Sequence, residues 1–198
     1  MRPGVRLGVR LGAIVLAAGA GTRFGGDKLS ASFRGEPLIA HAIRAARAAP
    51  VERIVVVSAP DLEIGTWPGA PAVERLEIAS SALSESLKIG IAALHHMDGV
   101  FVFLGDMPLI PHGIANELAA ALGDHFAVLP RHQGRTGHPV LLSARSFALV
   151  TSLTGDQGAG TLLKTRKDVA FVAAAAEGVT LDIDRAEDIA RLEGQRGA

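Results

Sequence analysis

The segment that decides the fold lies at residues 13–28 and reads AIVLAAGAGTRFGGDK. It opens with an apolar run at residues 14–16, which has the length of a buried parallel strand. Four glycines follow, and they predict a loop whose backbone N–H groups can approach an anion, because no Cβ is in the way. Arg23 and Lys28 add two cations. Together these features predict a cradle for phosphate groups; the alternative is an ordinary glycine-rich turn between a strand and a helix.

The composition indicates a globular α/β domain. Of the 198 residues, 48% are hydrophobic and 20% are charged, which is sufficient for one complete core. The formal net charge is zero, and this argues against a nucleic acid as partner. Cysteine is absent, which excludes disulfides, thiolate catalysis and cysteine-ligated metal centres. No apolar run approaches the length of a membrane span, so we expect no membrane partner.

The amino-terminal residues resemble a secretory signal. Arg2, Arg6 and Arg10 precede a small apolar run that ends in Ala-Gly-Ala at residues 18–20. Cleavage at that point would destroy the phosphate loop, and the run is better explained as the first strand. We therefore expect residues 1–12 to be a flexible N-terminal extension and the protein to be cytoplasmic.

Two common phosphate-binding motifs do not fit the loop. The dinucleotide fingerprint G-x-G-x-x-G needs glycine at position 24, where this chain has Phe24. A Walker A loop needs Gly-Lys-Ser/Thr, but Gly26 is followed by Asp27 and only then by Lys28.

The loop instead resembles the signature L-A-A-G-x-G-x-R-F/M-G-x-x-K of the MobA-like NTP transferases, which are nucleotidyltransferases with a Rossmann-like fold. In that family the loop wraps the triphosphate of an NTP, and the arginine and lysine neutralise it. The resemblance implies that Arg23 and Lys28 are catalytic. It also implies a set of nucleotide-binding residues: Leu16, Ala17, Ala18, Gly19, Ala20, Gly21, Thr22, Arg23 and Lys28.

The rest of the chain alternates between strand and helix patterns, as is typical of α/β folds. Strands are predicted at residues 53–58, 76–78, 99–104, 126–130 and 169–174. Helices are predicted at residues 38–49, 111–122, 143–150 and 158–166, with another after a cap at Ser84, a loop at 131–137 and a closing helix. The resemblance implies a three-layer Rossmann-like sandwich around a mostly parallel, mixed sheet, as in the nucleotide-diphospho-sugar transferases. Residues 13–198 would form a single domain, with an NTP-binding half (13–110) and an acceptor-binding half (111–198).

Asp106 is the predicted metal ligand. It follows the most hydrophobic strand pattern in the chain, within Gly-Asp-Met-Pro at residues 105–108. An acid at the carboxyl end of a central parallel strand faces the crevice of an open α/β sheet, and a carboxylate there suits Mg²⁺. In the resembling family the aspartate of this motif binds the metal, which implies that Asp106 is catalytic together with Arg23 and Lys28. Gly105 would contact the nucleotide. The alternative is that Asp106 caps a helix before Pro108.

The serine-rich segment at residues 80–87 predicts a helix start. Ser84 would be its cap, with Leu87 facing the core. In the resembling family this segment lies over the base and ribose, which implies nucleotide contacts by Ser84, Ser86 and Leu87. Ala82 departs from the family pattern, where glycine is usual. Both roles can hold together.

The second half offers candidate residues for the acceptor and the metal. His138, in Gly-His-Pro-Val, and Asp156, in Gly-Asp-Gln-Gly-Ala, resemble family motifs and would bind the acceptor. Otherwise, His138 is a structural histidine and Asp156 caps the following helix. Gly160 stands where the family commonly has arginine. Asp184 would be a second metal ligand or a helix cap, with Asp182 in reserve.

These motifs span Leu16 to Asp188 and resemble the molybdenum cofactor cytidylyltransferases most. The resemblance implies transfer of CMP from CTP to the terminal phosphate of a molybdopterin cofactor, with Mg²⁺ as the cofactor and a recipient molybdoenzyme as a further partner. Ala18 favours cytosine, because the related guanylyltransferases usually have glycine there. The other readings are a guanylyltransferase, a sugar- or polyol-phosphate cytidylyltransferase, a non-catalytic carrier of the nucleotide cofactor, and a nicotinamide-dependent oxidoreductase of the same fold.

Overall fold

The computed structural model describes residues 8–19, 21 and 24–194. Its strands are β1 (Leu11–Ala17), β2 (Ser32–Phe33), β3 (Glu36–Pro37), β4 (Arg53–Ser58), β5 (Ala72–Glu77), β6 (Gly99–Leu104), β7 (Ala127–His132), β8 (Arg135–Thr136), β9 (Val140–Ser143) and β10 (Val169–Ala173). Its α-helices are α1 (Leu38–Arg47), α2 (Leu83–Ala93), α3 (Ile114–Ala121), α4 (Phe147–Val150), α5 (Ala159–Leu163) and α6 (Ala186–Gly194). Short 3-10 helices lie at Ala144–Ser146 and Glu177–Thr180.

The central sheet is mixed and mostly parallel, as predicted. Within the described ranges its order is β10-β7-β9-β6-β1-β4-β5, and β8 pairs with β7. Strand β1 is parallel to both neighbours, with Leu16 opposite Val57 of β4 and Leu104 of β6. Strand β9 is antiparallel to both β6 and β7. Because β1, β4 and β6 run in the same direction, the loops that follow them emerge at one edge of the sheet.

Helices cover both faces of the sheet, which confirms the three-layer sandwich. Every residue of β1 is buried, as expected for a strand between two layers. On one face Ala13 and Val15 belong to a core that includes Ile43 of α1. On the other face Ile14 belongs to a core that includes Leu87 of α2. The alternation of side chains along β1 therefore supplies both cores.

A third, smaller core joins the carboxyl-terminal region to the β2–β3 hairpin. Phe33 and Leu38 pack with Ile183, which precedes α6, and with Leu192, which lies in α6. The backbone N–H of Ile183 also donates to the carbonyl of Asp106 at 3.0 Å. The segment that leads into α6 is therefore anchored beside the carboxyl end of β6.

Several local predictions were wrong in their details. Helix α2 begins at Leu83 after Ala82, so Ser84 lies inside the first turn and is not its cap. Strand β5 begins four residues earlier than predicted, at Ala72, because pairing with β4 extends it. The predicted loop at 131–137 is largely a hairpin of β7 and β8, with Gln133 and Gly134 at positive φ in its turn.

Two proposed helix caps are also absent from the described structure. The next helix after Asp106 is α3, which begins only at Ile114, so Asp106 is not its cap. Helix α5 begins after Gly158, without a hydrogen bond from a capping side chain, which removes the capping role of Asp156. The first strand begins at Leu11, inside the predicted extension; residues 1–7 lie outside the described residues. None of the described helices is long and apolar enough to cross a membrane.

Gly90 provides a test of the packing between α2 and β1. A Cβ at Gly90 would lie 2.7–2.9 Å from side-chain atoms of Ile14, whereas one at Gly160 would have no atom within 4 Å. Since Ile14 is fully buried, we expect Gly90→Ala to lower the free energy of unfolding by about 1–3 kcal/mol. Gly160→Ala, in helix α5, should leave it unchanged or raise it by up to about 1 kcal/mol, because alanine favours the helix. Urea unfolding measures both; an equally small effect at Gly90 would contradict this description of the core.

Candidate active site

A cleft opens at the carboxyl ends of β1 and β6. Its volume is about 510 Å³. Its lining residues come from the glycine loop, from the start of α2, and from the loops after β6 and before α5: Leu16, Ala17, Ala18, Gly19, Gly21, Lys28, Leu29, Ser81, Leu83, Ser86, Leu104, Asp106 and Asp156. A neighbouring cavity of about 370 Å³ shares the loop residues and extends towards Asp61 and Ile78. The loop residues thus border two adjacent cavities, which suits an extended ligand.

One ammonium group joins two carboxylates beside this cleft. Lys28 Nζ lies 2.7 Å from Asp106 Oδ2 and 3.4 Å from Asp184 Oδ1. The Lys28 side chain is only 12% exposed, while those of Asp106 and Asp184 are 23% and 43% exposed. Limited solvent access makes the charges interact more strongly than surface ion pairs do. Three residues from distant parts of the sequence therefore form one charged cluster.

The backbone positions both carboxylates. The Gly105 N–H donates to the Leu16 carbonyl at 2.9 Å, which continues the β1–β6 pairing up to Asp106. A Cβ at Gly105 would lie 3.1 Å from both Leu16 O and Ile39 Cδ1, so this close approach favours glycine. At the other carboxylate, the Asp188 side chain accepts hydrogen bonds from the backbone N–H groups of Asp184 and Arg185.

The cluster has the donor chemistry of a site for a hard divalent cation. Asp106 Oδ1 is buried and has no hydrogen-bond partner in the described structure, although Oδ2 is paired with Lys28. An orphaned buried carboxylate oxygen is costly unless a cation or donor satisfies it. The described residues contain no group of three or more side chains that could hold a metal. Asp106 and Asp184 would therefore share an ion with oxygens of a ligand, as is common for Mg²⁺ with phosphates.

Most of the predicted nucleotide residues lie at the cleft. Leu16, Ala17, Ala18, Gly19, Gly21, Lys28 and Ser86 line it, together with Asp106 and the predicted acceptor residue Asp156. Ala20, Thr22 and Arg23 lie outside the described residues, so their roles stay predictions. Two predicted nucleotide residues do not line the cleft: Leu87 is fully buried in the core, and Gly105 packs closely against Leu16 and Ile39. Ser84 is also fully buried, and its Oγ has no hydrogen-bond partner among the described residues.

His138 does not line the cleft, although its imidazole is close enough to Asp106 to feel the charge of that carboxylate. Its Nδ1 is 3.2 Å from the Val102 carbonyl, which requires the proton on Nδ1. Burial lowers the pKa of His138, against the opposing effects of that hydrogen bond and of the Asp106 and Asp182 carboxylates. The imidazole is therefore held neutral and oriented, which fits a structural role as well as a contact at its other nitrogen.

The sequence reasoning missed several residues that complete the cleft. Leu83, Ser81 and Leu104 line it. The Ser84 N–H donates to the Gly155 carbonyl at 3.0 Å, which fixes the loop carrying Asp156 against α2. This approach joins segments about seventy residues apart, and no local pattern signals it. Leu104 could have been predicted from the sequence, because it ends the strand that carries Asp106 to the cleft.

The fold and the cleft define an α/β protein of the Rossmann-like nucleotidyltransferase class, with a glycine loop, a lysine and two carboxylates at the ends of parallel strands. Residues 13–170 match the MobA-like NTP transferase domain family. This match covers most of the chain, so the chain belongs to that family and is a nucleotidyltransferase.

Known proteins resemble the chain over different lengths. The purine catabolism protein PucB of Bacillus subtilis (strain 168) is 28% identical over 189 residues, which are 88% of this chain and 92% of PucB. A probable molybdenum cofactor guanylyltransferase of Thermococcus sibiricus is 39% identical over 103 residues, or 49% of this chain and 48% of that protein. Rv0371c from Mycobacterium tuberculosis H37Rv, in complex with manganese, has a TM-score of 0.77 at 21% identity and covers 93% of this chain and 98% of its own; this likeness concerns the fold.

The carboxylate cluster provides a test by metal binding. In the presence of CTP, we expect Asp106→Asn to weaken Mn²⁺ binding by about tenfold or more, because the amide keeps the shape but loses the anionic ligand. Asp168→Asn is the matched control, since Asp168 pairs with Arg166 and Arg145 instead. Free Mn²⁺ measured by electron paramagnetic resonance reports the affinity. Equal binding by the wild type and Asp106→Asn would remove Asp106 from the metal site.

Proposed function

We propose that this protein transfers CMP from CTP to the terminal phosphate of a molybdopterin cofactor and releases pyrophosphate, with Mg²⁺ as the cofactor. The observation that carries the proposal is the cluster of Lys28, Asp106 and Asp184 beside a cleft bordered by the glycine loop. The product would be a cytosine dinucleotide form of the cofactor, and a recipient molybdoenzyme would take it up. The names of PucB and of the guanylyltransferase relative place similar proteins in purine catabolism and in molybdenum cofactor biosynthesis.

The loop and the start of α2 would hold the nucleotide. Ala17, Ala18 and Gly19 line both cavities, so the loop backbone can reach a triphosphate that spans them. Ser86 lines the larger cavity and would contact the base or ribose. Gly21 has a φ of +55°, and its Cβ position lies 3.3 Å from Lys28 Cβ. The turn therefore brings the loop onto the lysine that would neutralise the phosphates.

The transfer would be a displacement at the α-phosphorus. An oxygen of the acceptor's terminal phosphate forms a bond to the α-phosphorus, and the bond from that phosphorus to the bridging oxygen breaks as pyrophosphate leaves. The attacking phosphate is already ionised at neutral pH, so the protein supplies no general base. Its contribution is positioning and neutralisation of charge. Arg23 and Lys28 would hold the departing pyrophosphate.

Asp106 and Asp184 would hold the Mg²⁺, which neutralises phosphate oxygens when bound. In the structure both carboxylates are already paired with Lys28. On binding CTP, Lys28 would exchange a carboxylate for a phosphate, so the cluster keeps its charges compensated with and without substrate. His138 and Asp156 would contribute to the acceptor side, Asp156 from the cleft wall.

GTP is the second candidate nucleotide, because the relative from Thermococcus sibiricus is named a probable guanylyltransferase. Ala18 supports CTP. It lines both cavities, where a methyl group that glycine lacks would narrow the space available to a bound base. A smaller pyrimidine would tolerate that methyl group better than a purine.

Substitution of Asp106 and Lys28 separates the two roles in the mechanism. We expect Asp106→Ala to lower kcat by about a hundredfold or more, because a ligand of the charge-neutralising ion is lost. Lys28→Ala should raise the KM for CTP and lower kcat. Pyrophosphate release with molybdopterin as acceptor measures both, and circular dichroism verifies folding. A wild-type rate for Asp106→Ala, or no change in either constant for Lys28→Ala, would disprove the corresponding assignment.

Ala18→Gly tests the choice of nucleotide. We expect the ratio of kcat/KM for CTP over GTP to fall by about tenfold, since one methyl-sized contact in a pocket is worth about 1–3 kcal/mol. Ala17→Gly is the matched control, as Ala17 lines the same cavities. A wild type that prefers GTP would replace cytidylyl transfer by guanylyl transfer. An unchanged ratio in Ala18→Gly would show that Ala18 does not select the base.

A further inference from the structure

A second polar cavity, separate from the active-site cleft and its neighbouring cavity, lies beside the β2–β3 hairpin. Its volume is about 530 Å³, and it shares no lining residue with the cleft. Its polar walls come from the β2–β3 hairpin (Arg34 and Glu36) and from α1 (His41 and Arg44). The segment at residues 108–112, which follows the Asp106 loop, supplies an apolar wall and ends in His112. Two guanidinium groups and two imidazoles therefore face a space with one carboxylate.

Arg44 and Glu36 already neutralise each other. Arg44 Nη2 donates to Glu36 Oε1 at 3.0 Å, and Nη1 donates to the other carboxylate oxygen. This contact lowers the pKa of Glu36 and raises that of Arg44, so both groups remain charged. Glu36 is the carboxylate that lines the cavity, and it is paired with Arg44. It therefore does not neutralise the positive charge of Arg34.

Arg34 is held in an unusual conformation at the wall of the cavity. Its φ is +52°, in the left-handed region that few non-glycine residues adopt. Its guanidinium lies over the Phe33 ring at 4.9 Å, and its Nε is buried without a hydrogen-bond partner in the described part of the chain. With Gly35 at +84°, this φ is that of a two-residue hairpin turn, which fixes the start of the side chain at the cavity. The unsatisfied buried donor carries a free-energy cost, which a ligand that accepts its hydrogen bond would offset.

We propose that this cavity binds a phosphate group, either free or as a phosphate monoester. Arginine presents a planar fork of donors that matches phosphate oxygens, and the unpaired Nε lies in that fork. The apolar wall at residues 108–111 would receive the organic part of an ester, for which the volume leaves room. The Arg34 backbone N–H donates to Glu193 Oε1, so the hairpin is held by a contact that the side chain does not make.

The histidines allow this site to be observed separately from the cleft. We would titrate the protein with inorganic phosphate and with phenyl phosphate, and follow the imidazole resonances by nuclear magnetic resonance at constant ionic strength. Binding in the second cavity should shift His41 and His112 in a saturable way, whereas binding in the cleft should shift His138, which lies near Asp106. Tighter binding of phenyl phosphate identifies a monoester as the ligand, and equal binding identifies free phosphate.

Arg34→Gln removes the guanidinium whose Nε has no partner among the described residues, and it keeps the backbone N–H. We expect it to weaken the saturable shifts at His41 and His112 by about tenfold or more. Arg53→Gln is the matched control, because Arg53 pairs with Glu74 on the β4–β5 side of the sheet. Unsaturable shifts, equal shifts with acetate, or unchanged affinity in Arg34→Gln would each overturn the proposal. The result is independent of transferase activity, so it stands or falls separately from the proposed function.

Discussion

The contact of Lys28 with Asp106 and Asp184 is the interaction on which the site depends. One ammonium holds two carboxylates that arrive from a loop after β6 and from the approach to α6. Without a cation between them, two carboxylates in a partly buried position would repel each other. Lysine meets this requirement in the structure. Under the proposed function, a metal ion and phosphate groups would meet it when substrate binds.

The sheet makes this contact possible. Parallel pairing of β1 with β4 and β6 delivers the glycine loop and Asp106 to the same edge. Asp184 arrives by another route, because Ile183 is buried with Phe33, Leu38 and Leu192. Burial of that one side chain and the Asp188 contact with the Asp184 N–H fix the position of the second carboxylate. A small core away from the cleft lining therefore positions Asp184.

The strongest sequence predictions were those with a dense local signal. The strands at residues 53–58 and 99–104 were predicted with their observed limits, since continuous apolar runs are unambiguous there. The predicted cap at Ser84 was wrong, because the helix begins at Leu83, two residues earlier than that cap requires, and buries the serine. The hairpin at residues 131–137 was missed for another reason. Its polar, glycine-containing sequence is typical of loops, and only pairing with β7 makes it a strand.

The sequence alone determined the family, the glycine loop and the identity of Lys28, Asp106 and Asp184 as candidates, because each is signalled by neighbours within a few positions. Only the tertiary structure decided that one lysine joins both carboxylates, that Ser84 is buried and that Asp156 reaches the cleft through the Gly155 contact with α2. Such contacts join residues that are far apart along the chain. Their geometry follows from packing and strand direction, and these are properties of the folded chain as a whole.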